Sequence, residues 1–262
     1  NQIDKVIVAK DKGNKEDFYE EIKCLAIENN ILVFERNEVF EIRSNYSIAI
    51  GWRWLIPNIN NLIVFHDSPL PKYRGFAPLV NMLIKGENNL SATAIFANEN
   101  IDEGEIIMQK HCTISYPLKI KEAIELVSEL YVNIALKIFE STAKGEKLLS
   151  FPQDNKNASY SLWRDESDYF IDWTKSAEEI KRFVDAVGYP YDGAKIVVDQ
   201  MEIQVTDVTT ICDFEFEIIN PGKIFTIKEG KPIVCCGNGA IRIDKCYLNG
   251  EEFIFKRIKN RL

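Results

Sequence analysis

Residues 62–78 read LIVFHDSPLPKYRGFAP, and the fold of the chain can be predicted outward from this stretch. Residues 62–65 are apolar, His66 closes the run, and a stiff loop with Pro69, Pro71 and Gly75 follows. An apolar run without alternation is typical of a strand that is buried on both faces, as in a parallel sheet covered by helices. Because ligands bind at the carboxyl ends of such strands, we predict a functional role for His66, with a hydrogen-bonded structural histidine as the alternative.

The segments around this stretch alternate between strand and helix patterns. Short apolar runs bounded by turn residues predict strands over 3–9, 31–34, 47–50 and 92–96. Apolar residues at helical spacing predict helices over 15–28, 76–85 and 119–144. The alternation predicts an α/β domain over residues 1–150, with a doubly wound, mostly parallel, Rossmann-like sheet.

The character of the chain changes after residue 150. Residues 150–160 are polar and loop-like, and Ser176 with Glu179 forms a capping-box signature for a helix that ends near Val187. Further apolar runs separated by Gly and Pro predict strands over 196–198, 202–208, 223–227, 233–236, 240–243 and 252–256. We therefore expect a C-terminal β-rich subdomain over residues 151–262, with one helix and a small β-barrel or sandwich.

The composition is that of an ordinary globular protein and argues against several classes. The chain has 262 residues, of which 46% are hydrophobic and 27% charged, and a formal net charge of −8. Proteins that bind nucleic acid usually carry a basic excess, so we expect no nucleic-acid partner. Without an apolar run of about 20 residues or a signal-peptide pattern, we expect no membrane association and a cytoplasmic location. The six cysteines include no C-x-x-C pair, which argues against a zinc site.

The loop after His66 resembles the signature loop of the N10-formyltetrahydrofolate-dependent formyltransferases. The matching pattern is His66-x-Ser68-x-Leu70-Pro71-x-Tyr73-Arg74-Gly75-x-Ala77-Pro78. In that family an Asp lies 36 residues after the His, in an Asp-x-Gly-[Asp/Glu]-Ile segment, and Asp102-Glu103-Gly104-Glu105-Ile106 stands at that distance here. Residues 171–173 (IDW), 190–194 (PYDGA), 221–224 (PGKI) and 238–242 (NGAIR) extend the similarity, which runs from Lys5 to about residue 245.

This resemblance implies the formyltransferase fold and a reaction, the transfer of a formyl group from N10-formyltetrahydrofolate to a primary amine. It implies that His66 and Asp102 perform the acid–base and oxyanion work. We expect the folate donor to bind at Leu70, Pro71, Trp52 and Trp54, with core packing as the alternative for the two tryptophans. For the amine substrate the candidates are Arg74, Trp163, Arg164, Tyr189 and Tyr191, with an intramolecular ion pair as the alternative for Arg74 and interdomain packing for the others.

Two departures from the family pattern raise questions. The family has Asn two residues before its His, and here that position is Val64, which has no donor for the formyl oxygen. Either another group supplies the donor, from Asn60, Asn61, a backbone N–H or His66 itself, or the oxyanion is less well stabilised. The second departure is that Lys5–Lys12 resembles the second strand of the family, so we expect the usual opening strand and helix to be missing from this sequence.

The acceptor amine is predicted from length, acidity and the later motifs. The chain looks most like the sugar-nucleotide N-formyltransferases, which formylate an amino-dideoxysugar linked to UDP, dTDP or GDP for polysaccharide biosynthesis. Methionyl-tRNA or a purine precursor is the alternative acceptor. A folate-binding module without transfer activity is a third reading, suggested by Val64. A homodimer through the C-terminal subdomain is the expected candidate assembly.

Overall fold

The computed structural model describes residues 3–11, 17–56, 60–258 and 262. The described residues form fourteen strands and four α-helices, numbered here in chain order: β1 (Lys5–Val8), α1 (Tyr19–Glu28), β2 (Leu32–Glu35), β3 (Ser47–Ala49), β4 (Leu62–His66), β5 (Arg74–Gly75), α2 (Pro78–Lys85), β6 (Asn89–Phe96), β7 (Ile106–Thr113), α3 (Ile120–Ala143), β8 (Tyr160–Ser161), α4 (Ala177–Ala186), β9 (Ala194–Val198), β10 (Met201–Ile211), β11 (Ile224–Lys228), β12 (Lys231–Cys235), β13 (Ala240–Leu248) and β14 (Glu251–Glu252). Residues 12, 15 and 16, which the sequence places in the first strand segment and the first helix, lie outside the described part.

The N-terminal half is α/β, but its main sheet is mixed, so the prediction of a mostly parallel sheet is wrong. The strand order is β3-β4-β6-β7, with β3 parallel to β4 and both later pairs antiparallel. The direction first reverses at β6, which runs antiparallel to β4 although α2 lies between them in the chain, and β7 then pairs antiparallel with β6 as the next strand. In the described residues β1 pairs only with β2, in a separate parallel ladder.

The core of this half lies between the sheet and the two helices α2 and α3. Phe65 and Ala94 from the sheet belong to the same buried cluster as Leu83 of α2 and Val127 of α3. Side chains alternate along a strand, so the residues that flank Phe65 in β4 face the opposite side of the sheet. This alternation places Val64 and His66 together on the face away from α3.

The C-terminal strands form one antiparallel sheet, with the order β11-β12-β13-β10-β9 and β14 beside β13. The expected β-barrel or sandwich stays a prediction; between described residues no ladder joins the edge strands β9 and β11. Helix α4 packs on β10, and its predicted capping box is confirmed, since Ser176 Oγ accepts from the backbone N–H of Glu179. None of the helices in the described ranges is long and apolar enough to cross a membrane.

Candidate active site

His66 is the last residue of β4, and each of its ring nitrogens faces an oxygen. Nε2 lies 2.8 Å from the carbonyl oxygen of Tyr73, and Nδ1 lies 3.6 Å from Oδ2 of Asp102. A carbonyl oxygen only accepts, so Nε2 carries the proton of that bond. In the neutral ring the lone pair is therefore on Nδ1, on the side of Asp102. The imidazole is 7% exposed, so the protein fixes its orientation.

Asp102 comes from the turn between β6 and β7, where two backbone features bring it to His66. Its φ of 54° is in the left-handed region, which Asp tolerates better than most residues. A Cβ at Gly104 would lie 1.6 Å from the carbonyl oxygen of Phe96, so only glycine fits two residues later. Oδ2 of Asp102 also accepts from the backbone N–H of Gly75 at 2.8 Å. The spacing Asp-x-Gly is thus a packing requirement of the turn.

A polar row supports the proline loop from the sheet. His66 pairs with Thr93, and Thr93 pairs with Gln109, so their side chains share one face. Thr93 Oγ1 donates to the Ser68 carbonyl at 2.6 Å, and Gln109 Nε2 donates to Thr93 Oγ1 and to the Leu70 carbonyl. Sequence reasoning missed Thr93 and Gln109, since only the register of β6 and β7 shows that they lie beside His66.

Val64 lies in a small apolar cluster on this same face, together with Leu70, Ile95 and Ile106. Asn61 precedes β4 and is five residues from His66, which along a strand is about 16 Å. Its amide donates instead to the carbonyl of Asn45. Asn60 and Asn61 are therefore wrong as donors to the formyl oxygen, and His66 or a backbone N–H remains.

Arg74 is fully buried and belongs to an intramolecular ion pair, the alternative that the sequence left open. Nη1 bonds Glu103 at 2.9 Å, Nε and Nη2 both bond Oε1 of Gln153, and Nη2 also bonds Asn155. These contacts tie the signature loop to the Asp102 turn and to residues 153–155. Among the described residues, Glu103, Gln153 and Asn155 are the hydrogen-bond partners of the guanidinium.

The predicted folate residues lie at neighbouring strand ends. Leu70 is buried in the Val64 cluster and is joined to Pro71 by a cis peptide bond. Trp52 and Trp54 follow the end of β3, which pairs with β4, and their rings meet edge to face at 5.2 Å. The Nε1 of Trp52 is buried without a hydrogen-bond partner in the described residues, whereas Arg36 covers Trp54 at 4.7 Å.

The other predicted substrate residues are dispersed. Trp163 is 68% exposed, and Tyr189 is half exposed. Arg164 donates to Asn81 and to the Asp168 carbonyl and lies over Tyr169 and Phe183, which is the packing role. Burial and the nearby carboxylate of Asp67 raise the pKa of Tyr191 to about 12.

Asp67 is a titratable group beside His66 that sequence reasoning did not select. Its carboxylate accepts from the hydroxyl of Tyr131 in α3. Burial raises the pKa of Asp67, and the neighbouring His66 lowers it by a smaller amount. Within the ranges that the structure describes, no group of three or more His, Cys, Asp or Glu side chains could hold a metal ion.

Comparison with known families matches both halves of the chain. The profile described as "Formyl transferase" matches residues 43–130, and "Formyl transferase, C-terminal domain" matches residues 164–254, together more than half of the chain. A methionyl-tRNA formyltransferase from Citrifermentans bemidjiense is 28% identical over 187 residues, which cover 71% of this chain and 57% of that protein. The chain thus spans just over half the length of this relative.

Two solved structures share the fold. HypX from Aquifex aeolicus in complex with tetrahydrofolic acid has a TM-score of 0.67 at 17% identity, over 95% of this chain and 45% of that one. An N-formyltransferase from Helicobacter canadensis, solved with folinic acid and dTDP-3-aminofucose, has a TM-score of 0.66 at 18% identity, over 95% of this chain and 89% of that one.

The chain is thus an α/β domain followed by an antiparallel β subdomain, with an imidazole and a carboxylate side by side at the end of a strand. The two profile matches then identify the family: the chain belongs to the formyltransferases, with both the N-terminal and the C-terminal domain of that family. Members of this family use a formyl-tetrahydrofolate donor.

Proposed function

We propose that this protein transfers a formyl group from N10-formyltetrahydrofolate to the primary amine of a nucleotide-linked amino-dideoxysugar. The observation that carries the proposal is the His66–Asp102 pair, in which Nδ1 and Oδ2 are 3.6 Å apart at the end of β4. A substrate amine is protonated at neutral pH and must lose a proton before it attacks the formyl carbon. A carboxylate and an imidazole at one point can hold the ammonium and accept that proton.

The hydrogen bond at Nε2 assigns the two nitrogens of His66 different roles. Nε2–H is occupied by the Tyr73 carbonyl, so proton transfer uses Nδ1. Once protonated, Nδ1 can donate a hydrogen bond on the side of Asp102, where we place the substrate amine. It is thus the candidate donor to the formyl oxygen, which gains negative charge as the amine attacks. In this proposal His66 takes the work that the family gives to the Asn at the Val64 position.

The apolar face around Val64 fits a folate donor better than a charged ligand. Val64 is partly exposed and packs on the buried side chains of Leu70, Ile95 and Ile106, so the face beside His66 is aliphatic. The unpartnered Nε1 of Trp52 offers a buried donor at the adjacent strand end. We therefore assign Leu70, Pro71, Trp52 and Trp54 to the donor side, where a folate supplies the formyl group.

The acceptor side is assigned to the aromatic surface next to Asp102. Gly75 binds Asp102 through its N–H, and Phe76 and Tyr160 beside it are more than half exposed, as is Trp163. Exposed rings that continue from a catalytic carboxylate suit a nucleotide base attached to the reacting sugar. The net charge of −8 supports a small acceptor over tRNA.

The test is a panel of amino-dideoxysugars linked to UDP, dTDP or GDP, assayed with N10-formyltetrahydrofolate by mass spectrometry. Formylation of one member with His66-dependent turnover supports the proposal. If no member gains the mass of a formyl group while initiator methionyl-tRNA does, the sugar assignment is wrong.

Methionyl-tRNA as the acceptor is the second candidate, because the relative that is 28% identical carries that name. Binding to tRNA should then fall steeply with salt, as phosphate contacts require. A direct comparison of tRNA and nucleotide-sugar binding at the same ionic strength separates the two acceptors.

A further inference from the structure

Residues 151–161, called the bracing segment here, cross the active site although they lie in neither of the two stretches that match the family. Phe151 exchanges two backbone hydrogen bonds with Ile106, just after the Asp102 turn. At the other end, β8 pairs with β5 inside the signature loop. The segment therefore joins the two parts of the chain that supply His66 and Asp102.

Gln153 makes the contacts at the centre of this segment. Its Nε2 donates to the carbonyl of Asp102 and to the carbonyl of Gly104, both at 2.8 Å. Its Oε1 accepts from Nε and Nη2 of the buried Arg74 at 3.1 and 2.8 Å. Because the guanidinium only donates, Oε1 must face Arg74, and both amide hydrogens are then directed to the turn.

The turn needs this support because its conformation is restrained on both sides of Asp102. The left-handed φ of Asp102 is a less populated conformation for a residue with a side chain. The peptide carbonyls of Asp102 and Gly104 must converge on one point to bind the same amide. The positions of these two carbonyls fix the backbone of the turn and with it the direction of the Asp102 side chain. That direction sets the distance between the Asp102 carboxylate and Nδ1 of His66.

We propose that Gln153 is a positioning residue for the transfer reaction, which holds the Asp102 turn so that the carboxylate faces His66. This inference rests on the proposed function for its kinetic consequence, but its geometric consequence stands independently. Gln153 touches no reacting atom and acts through the backbone of Asp102 and Gly104.

The substitution Gln153→Glu separates this role from a contribution to folding. Glu has the same shape, and one carboxylate oxygen keeps the contact with Arg74. The other oxygen replaces the amide nitrogen and opposes the carbonyls of Asp102 and Gly104, since a carboxylate only accepts. The matched control is Asn157→Ala, which removes an amide of the same segment that bonds only Asp154 among the described contacts.

Two measurements on the full chain test the inference. The first is the position of the His66 ring resonances by NMR, with His111 as an internal reference because the chain has only two histidines. The second is kcat and KM with N10-formyltetrahydrofolate and the member of the amino-sugar panel that is turned over. Gln153→Glu should shift the His66 signals, leave the His111 signals in place and lower kcat about 10- to 100-fold with little change in KM. Asn157→Ala should change none of these.

Each other outcome overturns the inference. Wild-type kcat and unmoved His66 signals in Gln153→Glu show that the two carbonyl contacts are dispensable. A lower kcat with unmoved His66 signals shows that Gln153 acts by another route, and loss of the folded state makes it a structural residue. If the wild-type protein formylates no member of the panel, the proposed function fails, whereas the His66 signals still decide whether Gln153 positions Asp102.

Discussion

Gly104→Ala is the sharpest test of how the Asp102 turn is built. The added Cβ would lie 1.6 Å from the carbonyl oxygen of Phe96, whereas ordinary contacts begin at 3.4 Å. The two groups must therefore separate by about 1.8 Å, and Phe96 is held in β6 by pairing with β4. Most of this displacement falls on the turn, two residues from the carboxylate of Asp102.

The expected loss follows from that displacement. A misplacement of about 1 Å at a reacting group can lower the rate about 100-fold. We expect Gly104→Ala to lower kcat at least that much, which is about 2.7 kcal/mol of activation free energy. Overpacking of this kind should also lower the free energy of unfolding by about 1–3 kcal/mol.

Steady-state kinetics and urea unfolding, with Gly145→Ala as the control, separate the two effects. Gly145 follows α3 with a φ of 75° and has nothing within 4 Å of the added Cβ. Its substitution should cost about 1–2 kcal/mol through the left-handed backbone alone and leave kcat unchanged. Wild-type kcat in Gly104→Ala would refute the reasoning, since the turn would then tolerate the displacement.

Three further predictions address single side chains. His66→Ala should lower kcat about 100- to 10,000-fold, and unchanged turnover would exclude an acid–base role. Val64→Asn introduces the amide of the family at the His66 face and should leave kcat nearly unchanged, because His66 already serves the formyl oxygen in the proposed mechanism; a rise of about tenfold or more would show that this oxygen lacks a donor. Burial raises the pKa of Asp67 in the folded protein. The contribution of the protonated carboxyl to the free energy of unfolding is therefore present at acid pH and is lost as the pH rises through the folded pKa. Asp67→Asn should therefore raise the melting temperature relative to wild type more at pH 7 than at pH 4. If the difference in melting temperature does not grow with pH, burial does not raise the pKa of Asp67.

The positions of most strands and helices were predictable, but the directions of the strands were not. Apolar runs and helical spacing indicate where segments lie, because burial dictates both. The run over residues 92–96 is equally apolar in a parallel or an antiparallel sheet, so its antiparallel pairing with β4 could not be read from it. Whether the C-terminal sheet closes into a barrel is a similar case, since closure depends on whether the edge strands meet and not on their composition.

The candidate site was predictable only where a side chain carries its own chemical signal. His66 stood out as a rare histidine at a strand end, and its pairing with Asp102 came from the resemblance to the two motifs of the family and their spacing. The contacts of Arg74 could not be predicted from the sequence, because its acceptors Glu103 and Gln153 come from segments that are far apart in the chain. A polar stretch such as 150–160 is normally solvated, and its hydrogen bonds to the turn arise only in the folded chain.

The geometry of the His66–Asp102 pair therefore depends on residues beyond the predicted boundary at residue 150. The loop after His66 binds Ser159 through the backbone of Arg74, and the turn of Asp102 binds Gln153. A chain cut at residue 150 would keep both side chains of the pair but lose every one of these contacts. Arg74 would keep its ion pair with Glu103 but lose Gln153 and Asn155, the acceptors of Nε and Nη2. A buried donor left without a partner costs about 1–3 kcal/mol, so such a fragment should lose the geometry of the pair as well as stability. The bracing segment is for this reason part of the site.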